Sequence, residues 1–122
     1  MRRPVLLLAE NDPLIALDLR LQLEDARWQV HDVVPGELAE CCRQQRPDGI
    51  LLNFNSHGPS DGMALARALK TQFNLPVLLI TGARLKDLLA SSDFTPDIPV
   101  LYKPFTPCQL QQCLSPWRSV TE

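Results

Sequence analysis

The chain has 122 residues, of which 45% are hydrophobic and 21% charged, with a net charge of −2. That length sustains one domain with its own core, and the apolar share excludes a disordered chain. The small net charge excludes a general electrostatic footprint for nucleic acid, so no direct nucleic-acid partner is expected.

Taken in chain order, Met1-Arg2-Arg3-Pro4 precedes a continuous apolar run, Val5 to Ala9, which reads as a buried strand. The run is too short for a signal peptide or a membrane span, and Glu10 interrupts it, so a cytoplasmic protein without a membrane partner is expected. Asp12-Pro13 starts a helix, because Asp caps well and Pro suits the first helical position. Leu14, Ile15, Leu17, Leu19, Leu21 and Leu23 make that helix strongly apolar, with Arg20, Glu24 and Asp25 giving a polar side. Trp28 to Val34 alternates like a second strand, and Gly36 to Gln45 reads as a short helix. Arg46-Pro47-Asp48 introduces the third strand, Gly49 to Asn53. The turn formers from Asn55 through His57 to Gly62 predict a loop. Met63, Ala66, Leu69 and Phe73 then carry helical spacing. Leu75 to Ile80 is a fourth strand, ended by Thr81-Gly82. Arg84 to Ala90 reads as a short helix and Ser91 to Asp97 as irregular. Ile98 to Tyr102 is the fifth strand. Thr106-Pro107-Cys108-Gln109 has the form of a capping box, opening a last helix to about Leu114. Pro116 is expected to break it and leave residues 116–122 as a frayed tail, so that one domain over 1–122 has its core at about 4–115.

Continuous apolar strands separated by helices imply an α/β fold: a five-stranded parallel sheet with helices on both faces. Right-handed crossovers then bring all strand C-termini to one edge, where α/β domains hold their ligands. The residues there are Glu10 and Asn11, Asn53, Thr81 and Lys103. A carboxylate at position 53 would serve as nucleophile or metal ligand; the amide of Asn53 carries no charge and is a poor nucleophile. Cys41, Cys42, Cys108 and Cys113 form no CxxC pair and stand apart from His31 and His57, which argues against zinc or a disulfide framework.

The segments LLLAENDPLIALDLRLQLE, RPDGILLNFN, PVLLITG and LYKPFTPCQL, in this order and spacing, resemble the receiver domain of bacterial response regulators. The resemblance covers about Val5 to Leu114 and implies the flavodoxin-like receiver (βα)5 fold. In that family a histidine kinase supplies phosphate to an aspartate ending the third strand, which falls on Asn53. The acidic pair that helps hold Mg²⁺ falls on Glu10 and Asn11, the phosphoryl-contacting hydroxyl on Thr81 and the lysine on Lys103. Lys103 is followed by Pro104, whose peptide bond is typically cis in the family. The switch aromatic falls on Val100. Tyr102, by strand alternation, is expected on the opposite face from Lys103. The loop after the third strand is longer than usual in the family, with His57 where proline is common.

Two of the three carboxylates are thus amides. Phosphoryl transfer needs an oxyanion nucleophile and a cation to neutralise developing charge, and Mg²⁺ prefers carboxylate oxygens. Here Glu10 and Lys103 cancel, so an internal Glu10–Lys103 ion pair is expected, with no cofactor and at most a weak metal site at Glu10. The resemblance therefore implies a degenerate pseudo-receiver of a two-component or phosphorelay system, not an enzyme. It would act through a protein partner (a histidine kinase, regulator or output protein) or as a homodimer, using the surface from about 84 to 114. The alternative is a phosphorylatable receiver whose aspartate was exchanged for Asn53 by substitution. A small flavodoxin-like enzyme is disfavoured, because Glu10-Asn11-Asp12-Pro13 offers no glycine or hydroxyl to cradle phosphate.

Overall fold

The computed structural model describes residues 3–10, 12–53, 59–81 and 97–118. The elements are β1 (Val5–Glu10), α1 (Pro13–Asp25), β2 (Gln29–Asp32), α2 (Leu38–Gln45), β3 (Gly49–Asn53), α3 (Pro59–Phe73), β4 (Val77–Thr81), β5 (Val100–Tyr102) and α4 (Pro107–Arg118). A single 3-10 turn, Pro35–Glu37, leads into α2. The strands form one sheet in the order β2-β1-β3-β4-β5, and every neighbouring pair is parallel. The expected α/β architecture is present.

Helices cover both faces, which is why the strands are continuously apolar. Successive strand residues go to opposite cores. Leu7, Ile50 and Leu79 join α2 and α3 through Leu38, Met63 and Leu69. Leu6, Leu51 and Leu78 join α1 and α4 through Leu19, Leu23 and Leu110. Every residue of β4 is buried.

Several element ends differ from the sequence expectation. α3 begins at Pro59, so Pro59-Ser60-Asp61-Gly62 is helix and not loop. Proline is at home in a first helical turn, and helical spacing of apolar residues becomes visible only where the helix meets the core. α4 runs through Pro116 to Arg118, so Pro116 does not break it. The reason is tertiary: Trp117 is half-buried against the α1/α4 core and lies over Gly49, where an added Cβ would stand 2.3 Å from Trp117 Cε3. Burying a large apolar side chain is worth about 1.5–3 kcal/mol, enough to offset much of a proline's cost of about 3 kcal/mol in a helix. The short helix expected at 84–90 and the irregular stretch 91–96 lie outside the described residues.

Three helices end on a residue with a side chain in left-handed geometry: Arg27 (φ 73°) after α1, Arg46 (φ 46°) after α2 and Asn74 (φ 54°) after α3. After α1 the Trp28 N–H donates to the Leu23 carbonyl at 3.0 Å, the longer of the two bonds of a Schellman closure. The apolar character of α1 is only half used, since among its leucines only Leu19 and Leu23 are buried.

Candidate functional site at the strand C-terminal edge

The sheet register brings the sequence-singled residues to one edge. Glu10 ends β1 opposite Asn53, which ends β3 and is itself opposite Ile80 of β4. Thr81 closes β4, and the Lys103 N–H donates to the Thr81 carbonyl at 2.9 Å, carrying the β4–β5 ladder one residue further. Read across the edge, the order is Glu10, Asn53, Thr81, Lys103. Neighbouring strands lie about 4.8 Å apart, so the four backbones fall within about 15 Å. Asn53 is placed by its strand position, and Asn11 lies outside the described residues.

Glu10 is half-buried, and its Oε1 accepts the Asp12 N–H at 2.9 Å. Asp12 is committed in turn: its Oδ1 accepts from the N–H groups of Leu14 (2.9 Å) and Ile15 (3.3 Å), capping α1. Such a cap contributes about 1 kcal/mol. Thr81 is buried, with 4% exposure. The Lys103–Pro104 peptide bond is cis, as the family resemblance implies.

Among the described residues no ion pair joins Glu10 to Lys103, which corrects the expected internal pair. The Glu10 carboxylate is turned to the start of α1, while Lys103 lines a groove with Ile15, Asp18, Leu19 and Gln22 of that helix. β5 explains the separation. Val100 and Tyr102 pack against the α2/α3 core and Leu101 against the α1/α4 core, so the next residue, Lys103, emerges on the α1 side. Tyr102 is also the register partner of Thr81. Strand alternation alone gave Tyr102's face but not this pairing, which depends on where β4 and β5 align.

The donor set is poor in charge. Of the residues at the edge, only Glu10 supplies a carboxylate, and among the described residues no cluster of three or more His, Cys, Asp or Glu side chains could hold a metal ion. The four cysteines are free thiols; burial, reinforced by Cys41, pushes the Cys42 thiol up to about 11, so it is protonated at neutral pH.

No protein-family model and no curated protein matches the chain. Solved structures do. A response regulator receiver protein from Sinorhizobium medicae is 28% identical over 98% of both chains, with a TM-score of 0.76. The receiver domain of a modulated diguanylate cyclase from Desulfovibrio desulfuricans is 27% identical, covering 98% of this chain and 99% of its own, with a TM-score of 0.77. The receiver domain of a signal transduction histidine kinase from Syntrophus aciditrophicus is also 27% identical, covering 98% and 92%, with a TM-score of 0.79. With the parallel five-stranded sheet, these likenesses identify the chain as a response-regulator receiver domain.

Proposed function

We propose that this receiver is degenerate: a protein-interaction module of a two-component or phosphorelay system that carries no phosphate on its third strand and catalyses no reaction. The observation behind this reading is Asn53 at the end of β3, opposite Glu10, where the family places its phosphoacceptor aspartate. An amide nitrogen is not an oxyanion, and its carbonyl is a weak nucleophile.

The residues present do not fit the Mg²⁺ that the family uses. A hard divalent ion takes carboxylate oxygens. Here positions 11 and 53 are amides, the Glu10 carboxylate accepts the Asp12 N–H, and Asp12 caps α1.

On this reading the signal comes from a protein partner, whether a kinase, a regulator or an output protein, in the cytoplasm. The surface from 84 to 114 is one place for it, and β5 with the first two turns of α4 is its described part. A homodimer through the same surface is the other arrangement. The test is intact-protein mass after incubation with Mg²⁺ and acetyl phosphate, read at neutral pH because acyl phosphates hydrolyse in acid. The expected result is no added mass. A stoichiometric gain of one phosphoryl group overturns the proposal.

A further inference from the structure

The groove between α1 and the turn after β5 holds polar groups that the strand edge does not use. Its volume is about 340 Å³, at the lower end of the range for small-molecule sites. Ile15 and Leu19 of α1 and Phe105 beyond β5 give it apolar walls. Three polar side chains line it as well. Asp18 and Gln22 stand one turn apart on α1, and β5 delivers Lys103 from the other side.

Gln22 Nε2 donates to Asp18 Oδ2 at 3.0 Å. That bond fixes the orientation of the amide, because a flipped amide would set its oxygen against the carboxylate. Gln22 Oε1 is then buried without a hydrogen-bond partner. Buried acceptors are nearly always paired, so this one marks a place for a donor. Among the described residues no ion pair joins Asp18 to Lys103, although both line the groove. Opposite charges that flank a groove without meeting leave room between them for a ligand carrying both signs.

We propose that the groove binds a small zwitterion with an apolar side chain, an α-amino acid of leucine or phenylalanine size. The charge pattern selects this class. An α-ammonium has three donors, enough for the Asp18 carboxylate and Gln22 Oε1 together. The α-carboxylate meets the Lys103 ammonium in a charge-assisted bond. The side chain lies on Ile15, Leu19 and Phe105. A plain carboxylate would leave Gln22 Oε1 unmet and would face Asp18, and a plain amine would face Lys103. The inference goes beyond the degenerate-receiver reading. Of the groove's polar groups only Lys103 belongs to the phosphoacceptor edge, and position 53 takes no part.

The test is an NMR titration of the full chain, labelled with nitrogen-15, against phenylalanine, phenylethylamine, hydrocinnamate and glycine. Phenylalanine is expected to saturate at about 0.1–1 mM, shifting the Gln22 side-chain amide and the backbone signals of Ile15 and Leu19. Phenylethylamine and hydrocinnamate each lack one charge and should bind about tenfold more weakly. Glycine lacks the apolar part and should bind more weakly still. Two variants assign the charges. Asp18→Asn should weaken phenylalanine and phenylethylamine about tenfold and spare hydrocinnamate; Lys103→Met should weaken phenylalanine and hydrocinnamate and spare phenylethylamine. A damaged fold would weaken all three alike, and Asp18 is exposed, so Asp18→Asn keeps the test open if Lys103→Met does not fold. Absence of saturable shifts with phenylalanine, equal binding of the four probes, or shifts confined to residues away from the groove overturns the proposal. Intact mass with acetyl phosphate is a separate readout: uptake of phosphate would defeat the degenerate-receiver reading and leave this site standing.

Discussion

Asn53→Asp alone is expected to take up little phosphate from acetyl phosphate and Mg²⁺, while Asn11→Asp/Asn53→Asp is expected to take up far more. The single change restores an oxyanion at the end of β3, opposite Glu10. It leaves the metal site with two carboxylates against Lys103, one short of the family's charge. Two unit charges about 4 Å apart are worth about 4 kcal/mol at an effective dielectric near 20. A third of that or somewhat more, after solvent screening, still weakens binding of a divalent ion by roughly tenfold to a hundredfold. Phosphoryl transfer to a carboxylate depends on that ion to neutralise developing charge. Intact mass and Mg²⁺ titration of both variants provide the check. If Asn53→Asp alone becomes a Mg²⁺-dependent, stoichiometric phosphoprotein, Asn53 was the only missing part and the pocket has not been rebuilt.

Gly49→Ala is expected to destabilise the fold by about 1–3 kcal/mol, although alanine for glycine in a compatible backbone ordinarily stabilises by about 0.4–1 kcal/mol. The sign is reversed by Trp117, whose Cε3 and Cζ3 atoms would stand 2.3 and 2.5 Å from the new Cβ. Either the indole leaves its place over β3, unwinding the last turn of α4, or the strand shifts. Trp117→Ala removes the obstacle and should itself cost stability, because its ring packs on the α1/α4 core. Gly49→Ala/Trp117→Ala should therefore cost less than the sum of the two, with a coupling of about 0.5–3 kcal/mol. Urea denaturation of the four proteins decides the matter. A Gly49→Ala variant more stable than the parent would show that Trp117 does not bear on β3.

The parts of the fold legible in the sequence were those where one periodicity ran uninterrupted. Leu75 to Ile80, a strand over Val77–Thr81 in the fold, and Gly49 to Asn53 announced buried strands because both faces are covered, and the strand ends fixed Glu10, Asn53, Thr81 and Lys103 on one edge before any side chain was placed. Asp12 announced its cap because Asp-Pro is a local signal. The misread parts depended on distant neighbours. Pro116 looked like a stop, but Trp117, packed on the α1/α4 core and over Gly49 far away in the chain, favours continuing α4. The Glu10–Lys103 pair followed from charge alone, but the Asp12 N–H sits nearer to Glu10, and β5 delivers Lys103 to α1. The leucines of α1 make the helix strongly apolar in sequence, but composition does not say which of them face the core. Leu14 and Leu21 acquire their meaning only when Leu19 and Leu23 are seen to occupy the inner side.

The left-handed residues after α1, α2 and α3 bear on how far this domain stands from its best attainable stability. A side chain in that geometry costs roughly 1 kcal/mol relative to glycine. Arg27 and Arg46 carry that cost where glycine would carry none, and both face solvent. They sit at the end of the sheet opposite Glu10 and Asn53. Selection has evidently tolerated this strain instead of removing it, as expected of a protein held above a threshold and not at an optimum. The domain thus keeps a reserve that glycine at these two turns could release, hardening the scaffold without altering the pocket or the surface it offers.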